Sequence, residues 1–154
     1  MKKFNQLVDE ARKSVKEVFP WDIADRIPDN ETLIVDVREP YEYEAMHIKE
    51  SINVPRGILE TACEYNYEET VPELVMARDK EIILVCRSGN RSIFAAEVMQ
   101  QMGYKNVYSL KTGLRGWADN EYPLIDKNNT PVDLDTAEEY FLPRVRPDQL
   151  LPKA

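Results

Sequence analysis

The chain of 154 residues is long enough for one domain with a single core and leaves little for a second. Its 28 acidic residues against 20 basic ones give a net charge of −8, which argues against nucleic acid or an anionic membrane as the main partner. Two cysteines, Cys63 and Cys86, and one histidine, His47, are too few for a disulfide framework or a zinc site, and no metal or cofactor is implied.

The first residues include lysines, but Asp9, Glu10, Arg12 and Lys13 interrupt any apolar stretch long enough for a signal peptide. Nothing approaches the roughly 20 apolar residues of a membrane span. A cytoplasmic, reducing location with free thiols is therefore expected. Phe4, Leu7, Val8, Ala11 and Val15 recur at steps of three and four, which predicts an amphipathic helix over about 3–14. Pro20 can open a short helix, "PWDIADRI", at its first turn. The apolar run Leu33–Val37, preceded by "PDNE" and followed by "REP", reads as a strand buried on both faces. One helical turn is expected from Pro40 and a short strand at Ser51–Val54, stopped by Pro55.

Residues 56–79 read as largely helical, with Ile58, Leu59, Ala62, Leu74, Val75 and Met76 as the apolar positions. "EIILVC" is the clearest buried strand of the chain, and the helix "SIFAAEVMQQM" follows it with Gly103 placed to end it. "NVYSL" is a further strand and "GLRGWADN" a further short helix. Strands alternating with helices at this spacing predict an α/β fold with a parallel sheet covered on both faces. The last stretch, from Lys127, changes character: Pro131, Pro143, Pro147 and Pro152 punctuate it, and Asp133 or Asp135 could cap a short helix through Phe141. Leu134, Tyr140, Phe141, Leu142, Leu150 and Leu151 make it too apolar for a free tail, so it is expected to wrap on its own domain or on a partner.

Cys86 stands at the carboxyl end of its strand, where ligands of open parallel sheets sit. The short loop Arg87-Ser88-Gly89-Asn90 leads straight into a helix near Arg91 or Ser92. Such a loop can aim successive backbone N–H groups inward as an anion nest, to which the helix N-terminus adds its positive end. Gly89 and Asn90 tolerate the left-handed backbone that the curl can require. A cysteine beside a helix N-terminus and cations can titrate at about 3.5–7.5 instead of about 8.5, so Cys86 would be a thiolate at neutral pH, with Arg87 and Arg91 as donors to an anionic substrate. The alternative is a buried structural cysteine at a strand end followed by an ordinary polar loop. The coincidence of strand end, tight loop, two arginines and helix start favours the functional reading.

These residues also carry a resemblance. Asp36-Val37-Arg38 with Glu42-Tyr43, His47-Ile48 with Asn53-Val54-Pro55, the loop Cys86–Arg91, and Gly113 with Trp117 resemble, in order and spacing, the motifs of single-domain rhodaneses of the thiosulfate sulfurtransferase type. The resemblance covers about 15–125 and implies an open parallel five-stranded sheet with helices on both faces. On that basis 1–14 is expected to be an N-terminal helix, 15–125 the rhodanese domain, and 126–154 an extension packing on it or on a partner. The activity it implies is sulfur transfer. Cys86 would take sulfane sulfur from thiosulfate or a persulfide donor, hold it as a persulfide, and pass it to a thiol, cyanide or a protein acceptor. Arg87, Ser88, Gly89, Asn90, Arg91 and Ser92 would bind substrate, with Asp36 and Arg38 in support, and an Asp36–Arg91 contact would fix the loop.

Phosphatases and arsenate reductases with a related cradle have five residues between cysteine and arginine, whereas this chain has four, Arg87 to Asn90. A sulfur carrier or regulatory binding module with little turnover is the alternative, with the tail and N-terminal helix available to specify a protein partner or a homodimer. Met46, Glu50 and Thr112 depart from family glycines. His47 and Trp117 are expected to be structural, and Cys63 to pack a helix, with a resolving thiol as its alternative. Tyr65 and Tyr67 are expected in the core or on a pocket wall.

Overall fold

The computed structural model describes residues 1–27 and 30–153. Pro28 and Asp29, part of the turn signal ahead of the second strand, lie outside the described residues, as does Ala154. Five strands, β1 (Lys16–Val18), β2 (Thr32–Asp36), β3 (Ile52–Asn53), β4 (Glu81–Val85) and β5 (Asn106–Leu110), form one all-parallel sheet in the order β1-β5-β4-β2-β3. The helices are α1 (Phe4–Arg12), α2 (Pro20–Ile23), α3 (Pro40–Ala45), α4 (Leu59–Ala62), α5 (Pro72–Val75), α6 (Arg91–Gln101), α7 (Gly113–Asp119) and α8 (Leu134–Tyr140). This is the open five-stranded parallel sheet covered on both faces that the sequence implies. Among the described residues no helix is long and apolar enough to cross a membrane.

The central strands are apolar at nearly every position because helices cover both sides. Alternation along them divides the core. Leu33, Val35, Ile82, Leu84 and Cys86 meet residues of α4, α5 and α6. Ile34, Ile83 and Val85 meet residues of α2, α7 and α8. The chain leaves β2 toward β3 on one side and enters β4 on the other, so the strand order reverses between β2 and β4. At such a point the carboxyl ends of adjacent strands open a crevice. Asp36-Val37-Arg38 and Cys86–Arg91 both emerge there, and the Val37 amide still donates to the Val85 carbonyl at 2.9 Å.

Two sequence expectations change. β1 was not foreseen: it is a three-residue, partly exposed edge strand paired with β5 through Lys16–Tyr108, Glu17–Ser109 and Val18–Leu110. Residues 56–79 are not continuously helical. They comprise a 3-10 turn at Arg56–Ile58, single-turn helices α4 and α5, and an irregular acidic stretch between them in which Asn66 has φ +75°. Pro72, at the first turn of α5, cannot continue a helix arriving from α4.

The C-terminal stretch lies on the α7 side of the sheet. Asp133 Oδ1 accepts the Thr136 amide at 2.9 Å and so caps α8. Ala137 and Phe141 are buried with Leu114 and Trp117, while Leu142, Val145, Leu150 and Leu151 remain exposed. Trp117 is a buried packing anchor whose Nε1 donates to the Pro123 carbonyl at 2.9 Å.

Candidate active site

β4 delivers Cys86 and the amino end of α6 receives the chain at Arg91, after only four intervening residues, so the loop must curl tightly. Gly89 supplies the left-handed turn with φ +87°, and Asn90 stays right-handed at φ −95°. The curl points amides at the sulfur: Gly89 N donates to Cys86 Sγ at 3.2 Å and Ser92 N at 3.4 Å. Ser92 Oγ lies 3.3 Å from Sγ and 2.7 Å from Ser109 Oγ, so a fully buried serine pair backs the sulfur. Cys86 itself is 1% exposed. A sulfur held by two amides at the start of a helix is well placed to carry negative charge.

A second helix secures the other side of the loop. Leu114 N and Arg115 N, in the first turn of α7, donate to the carbonyls of Cys86 and Arg87, both at 2.9 Å. The turn that brings α7 so close contains Thr112 at φ +67° and Gly113 at φ +59°. Of the three departures from family glycines, Thr112 and Glu50 (φ +67°) do occupy left-handed backbone, whereas Met46 is extended.

The loop's end is gripped by a carboxylate, though not by the one expected. Arg91 makes a bidentate pair with Glu42, Nη1 to Oε2 at 2.8 Å and Nη2 to Oε1 at 2.9 Å. Asp36 is taken by Arg38 instead, through Nε at 3.0 Å and Nη2 at 2.8 Å, so the expected Asp36–Arg91 contact is absent. Both members of that pair are fully buried. Arg38 Nη2 also donates to the Met46 carbonyl at 2.7 Å, and Nη1 has no partner. Asp36 and Arg38 thus tie β2 to the turn after α3, and Glu42 connects α3 to the loop.

Glu42 is a case of opposed effects. Burial alone would raise its carboxyl pKa, but the Arg91 fork and the Glu39 amide, with the charges of Arg91 and Arg38, outweigh burial and hold it below the ordinary value of 4.5. A depressed carboxyl pKa adds stability above the unfolded value and loses it as pH falls through the folded one. Glu42→Gln is therefore expected to lower Tm at neutral pH, with the gap to the native protein closing as pH drops below about 4.5. A gap constant from about pH 6 to 3 in thermal melts would show that the ion pair contributes nothing.

The other predicted site residues are divided. Arg87 Nη2 donates to the carbonyls of Phe141 (2.9 Å) and Leu142 (3.0 Å), so it is turned to the C-terminal stretch. Arg87, Glu42, Tyr41, Tyr140, Leu142 and Arg144 line a cavity of about 220 Å³. Exposed Ser88 lines a different cavity, with Phe19 and Trp21. His47 is structural, its Nδ1 2.7 Å from the Tyr43 carbonyl and its ring stacked on Tyr43. Cys63 is fully buried and unpaired, and burial raises its thiol pKa, with a Tyr104 hydrogen bond and the Arg78 charge opposing. Tyr65 and Tyr67 are 55% and 50% exposed, so neither is a core residue, and Tyr67 lines a separate groove with Glu60 and Met102. Among the described residues no group of three or more His, Cys, Asp or Glu side chains could hold a metal.

Sequence reasoning missed the grip of Glu42, although that residue stands in the Glu42-Tyr43 motif. It also missed Ser109, whose only signal is a serine within the apolar run "NVYSL".

Comparison with known proteins places this geometry among relatives. The family model for the rhodanese-like domain matches residues 20–120. A putative mitochondrial thiosulfate sulfurtransferase of Schizosaccharomyces pombe is 32% identical over 94 residues, 59% of this chain and 66% of that protein. The match therefore spans a little under two thirds of that relative's length. A sulfurtransferase of Allochromatium vinosum is 28% identical over 112 residues, 72% of this chain and 95% of that protein. A solved structure from Rhodopseudomonas palustris, of a protein of unknown function called a possible tyrosine phosphatase, superposes with a TM-score of 0.72 at 28% identity, covering 80% of this chain and 94% of the other.

Proposed function

Because this chain belongs to the rhodanese-like domain family, we propose that it is a sulfurtransferase working through a Cys86 persulfide. The carrying observation is the sulfur cradle, with Cys86 Sγ receiving the Gly89 and Ser92 amides at the mouth of α6. The Cys86 thiolate attacks the outer sulfur of thiosulfate or a related donor. A new S–S bond forms, the donor's S–S bond breaks, and sulfite leaves with the bonding pair. The persulfide is left anionic, where the same amides hold it. A second nucleophile, such as cyanide or a thiolate, then takes the terminal sulfur and returns the Cys86 thiolate, a ping-pong sequence. Arg91, charged and fixed by Glu42, closes the loop. Burial opposes its positive charge, but the Glu42 hydrogen bonds dominate and raise its pKa above the ordinary arginine value.

Loop size supports sulfur over phosphate. Four residues separate Cys86 from Arg91, and a ring this small suits one sulfur atom better than a tetrahedral phosphate. The test is an intact mass of the reduced protein after incubation with thiosulfate. The native protein is expected to gain one sulfur atom that cyanide removes, and Cys86→Ser to gain none. Failure of the native protein to gain sulfur from thiosulfate or from a persulfide donor would end this reading. Sulfur gained and slowly lost to cyanide, but rapidly lost to a protein thiol, would make the protein a carrier.

A further inference from the structure

The cavity beside the catalytic loop is only half built by the family domain. Tyr41, Glu42 and Arg87 fall within the matched residues 20–120, whereas Tyr140, Leu142 and Arg144 come from beyond them. The outer wall is fixed to the site in two ways. Phe141, 2% exposed, anchors it in the core with Trp117 and Leu114. Arg87, next to the nucleophile, donates to the successive carbonyls of Phe141 and Leu142. Burial raises the pKa of the Tyr140 phenol, the Arg38 and Arg87 charges oppose this, and Glu42 and Tyr41 reinforce it.

The lining has a definite chemistry. Tyr41, Tyr140 and Leu142 offer aromatic and aliphatic surface. The one carboxylate, Glu42, is neutralised by Arg91. Arg144 makes no salt bridge among the described residues, and its one hydrogen bond is a 3.5 Å contact with the Glu139 carbonyl. The cavity therefore presents an apolar body and two cations without a carboxylate partner among the described residues, Arg87 on the carbonyls of Phe141 and Leu142 and the exposed Arg144. The cavity measures about 220 Å³.

We propose that Tyr140, Leu142 and Arg144 form the specificity wall of the Cys86 site and select sulfur donors with an apolar body and an anionic group remote from the transferred sulfur. The body lies on Tyr41, Tyr140 and Leu142, and the remote anion pairs with Arg144. This rests on the sulfurtransferase reading and adds the class of donor. With an arylthiosulfonate, the Cys86 thiolate bonds to the outer sulfur, the donor's S–S bond breaks, and the arylsulfinate leaves with the electron pair. Cyanide then regenerates the thiolate as thiocyanate forms.

The experiment compares inorganic thiosulfate, benzenethiosulfonate and 4-carboxybenzenethiosulfonate as donors to the full chain, with cyanide as acceptor and thiocyanate as the readout. The native protein is expected to use the carboxylated donor about fivefold better in kcat/KM than its parent, chiefly through KM, as fits one partly exposed ion pair. Arg144→Gln should bring the ratio of the two aryl donors to about one, and Arg144→Glu should invert it. Tyr140→Ala with Leu142→Ser should lower both aryl donors relative to thiosulfate. Intact masses with thiosulfate separate the two failures. If Cys86 gains sulfur but the donor ratios do not move in these variants, the wall is wrong and the sulfurtransferase reading stands. If Cys86 gains sulfur from none of the three donors but does from a persulfide donor, the wall is wrong and the sulfurtransferase reading stands; if it gains none from any of them, both fall.

Discussion

Arg38→Ala is expected to lower the unfolding free energy by about 3–5 kcal/mol, because it strands Asp36 as a buried charge without its partner. Both side chains are fully buried, and Asp36 would lose three guanidinium contacts, keeping only the amide of residue 38 at 3.1 Å. The Met46 carbonyl would lose its 2.7 Å donor as well. For a chain of this size the loss corresponds to a fall in Tm of roughly 6–20 °C. A buried pair is costly to break but not intrinsically worth much, so replacing both members should be far milder. Asp36→Leu with Arg38→Met is thus expected to melt closer to the native protein than Arg38→Ala alone. Calorimetry on the two variants checks this, and a drop under about 2 °C for Arg38→Ala would show that Asp36 finds another partner or water. The unpaired Arg38 Nη1 fits this description: the arginine is held for its fork on Asp36 and for Met46, with one donor left over.

How much of this was legible in the chain depended on the kind of interaction. The strand Glu81–Val85 and the helix after Cys86 were readable because burial on both faces writes a continuous apolar run, and a tight turn writes glycine. β1 was not, since the short, partly exposed "KEV" at a sheet edge carries no buried apolar run and takes its stability from hydrogen bonds to β5 that no residue type records. The choice between Asp36 and Glu42 as partner of Arg91 was likewise out of reach. Both are carboxylates in one motif, and what decides is that Arg38, two residues on, captures Asp36 first. Arg87 was recognisable as a loop cation, but its acceptors are main-chain carbonyls of Phe141 and Leu142, and a carbonyl is available at every residue. Of the large apolar residues that suggested a packed tail, Phe141 is buried, beside Ala137, while Leu134, Leu142, Leu150 and Leu151 stay exposed.

Gly113→Ala is expected to reduce sulfur transfer from thiosulfate to cyanide by about a hundredfold or more while leaving Cys86 in place. The glycine is where α7 approaches the Cys86 loop: a Cβ there would sit 2.5 Å from the Cys86 carbonyl oxygen and 2.7 Å from the carbonyl carbon and oxygen of Arg87. All three obstacles are backbone, so no side chain can rotate away. The backbone is also left-handed at φ +59°, which adds about 1–2 kcal/mol for any residue with a Cβ. The loop and α7 must therefore separate, and the bonds from Leu114 N and Arg115 N to those carbonyls lengthen or break. A shift of the loop by a fraction of an ångström moves the Gly89 and Ser92 amides away from Sγ, and a misplacement near 1 Å can cost about a hundredfold in rate. Overpacking is expected to cost a further ~1–3 kcal/mol of stability, so the rate is to be measured well below the variant's Tm. Gly57→Ala is the control, because nothing lies within 4 Å of a Cβ at that position. Native-like rates in Gly57→Ala beside the loss in Gly113→Ala would tie activity to the contact between α7 and the loop. If Gly113→Ala keeps its rate within about threefold, the cradle does not depend on that approach, and the Gly89 and Ser92 amides hold the sulfur without support from α7.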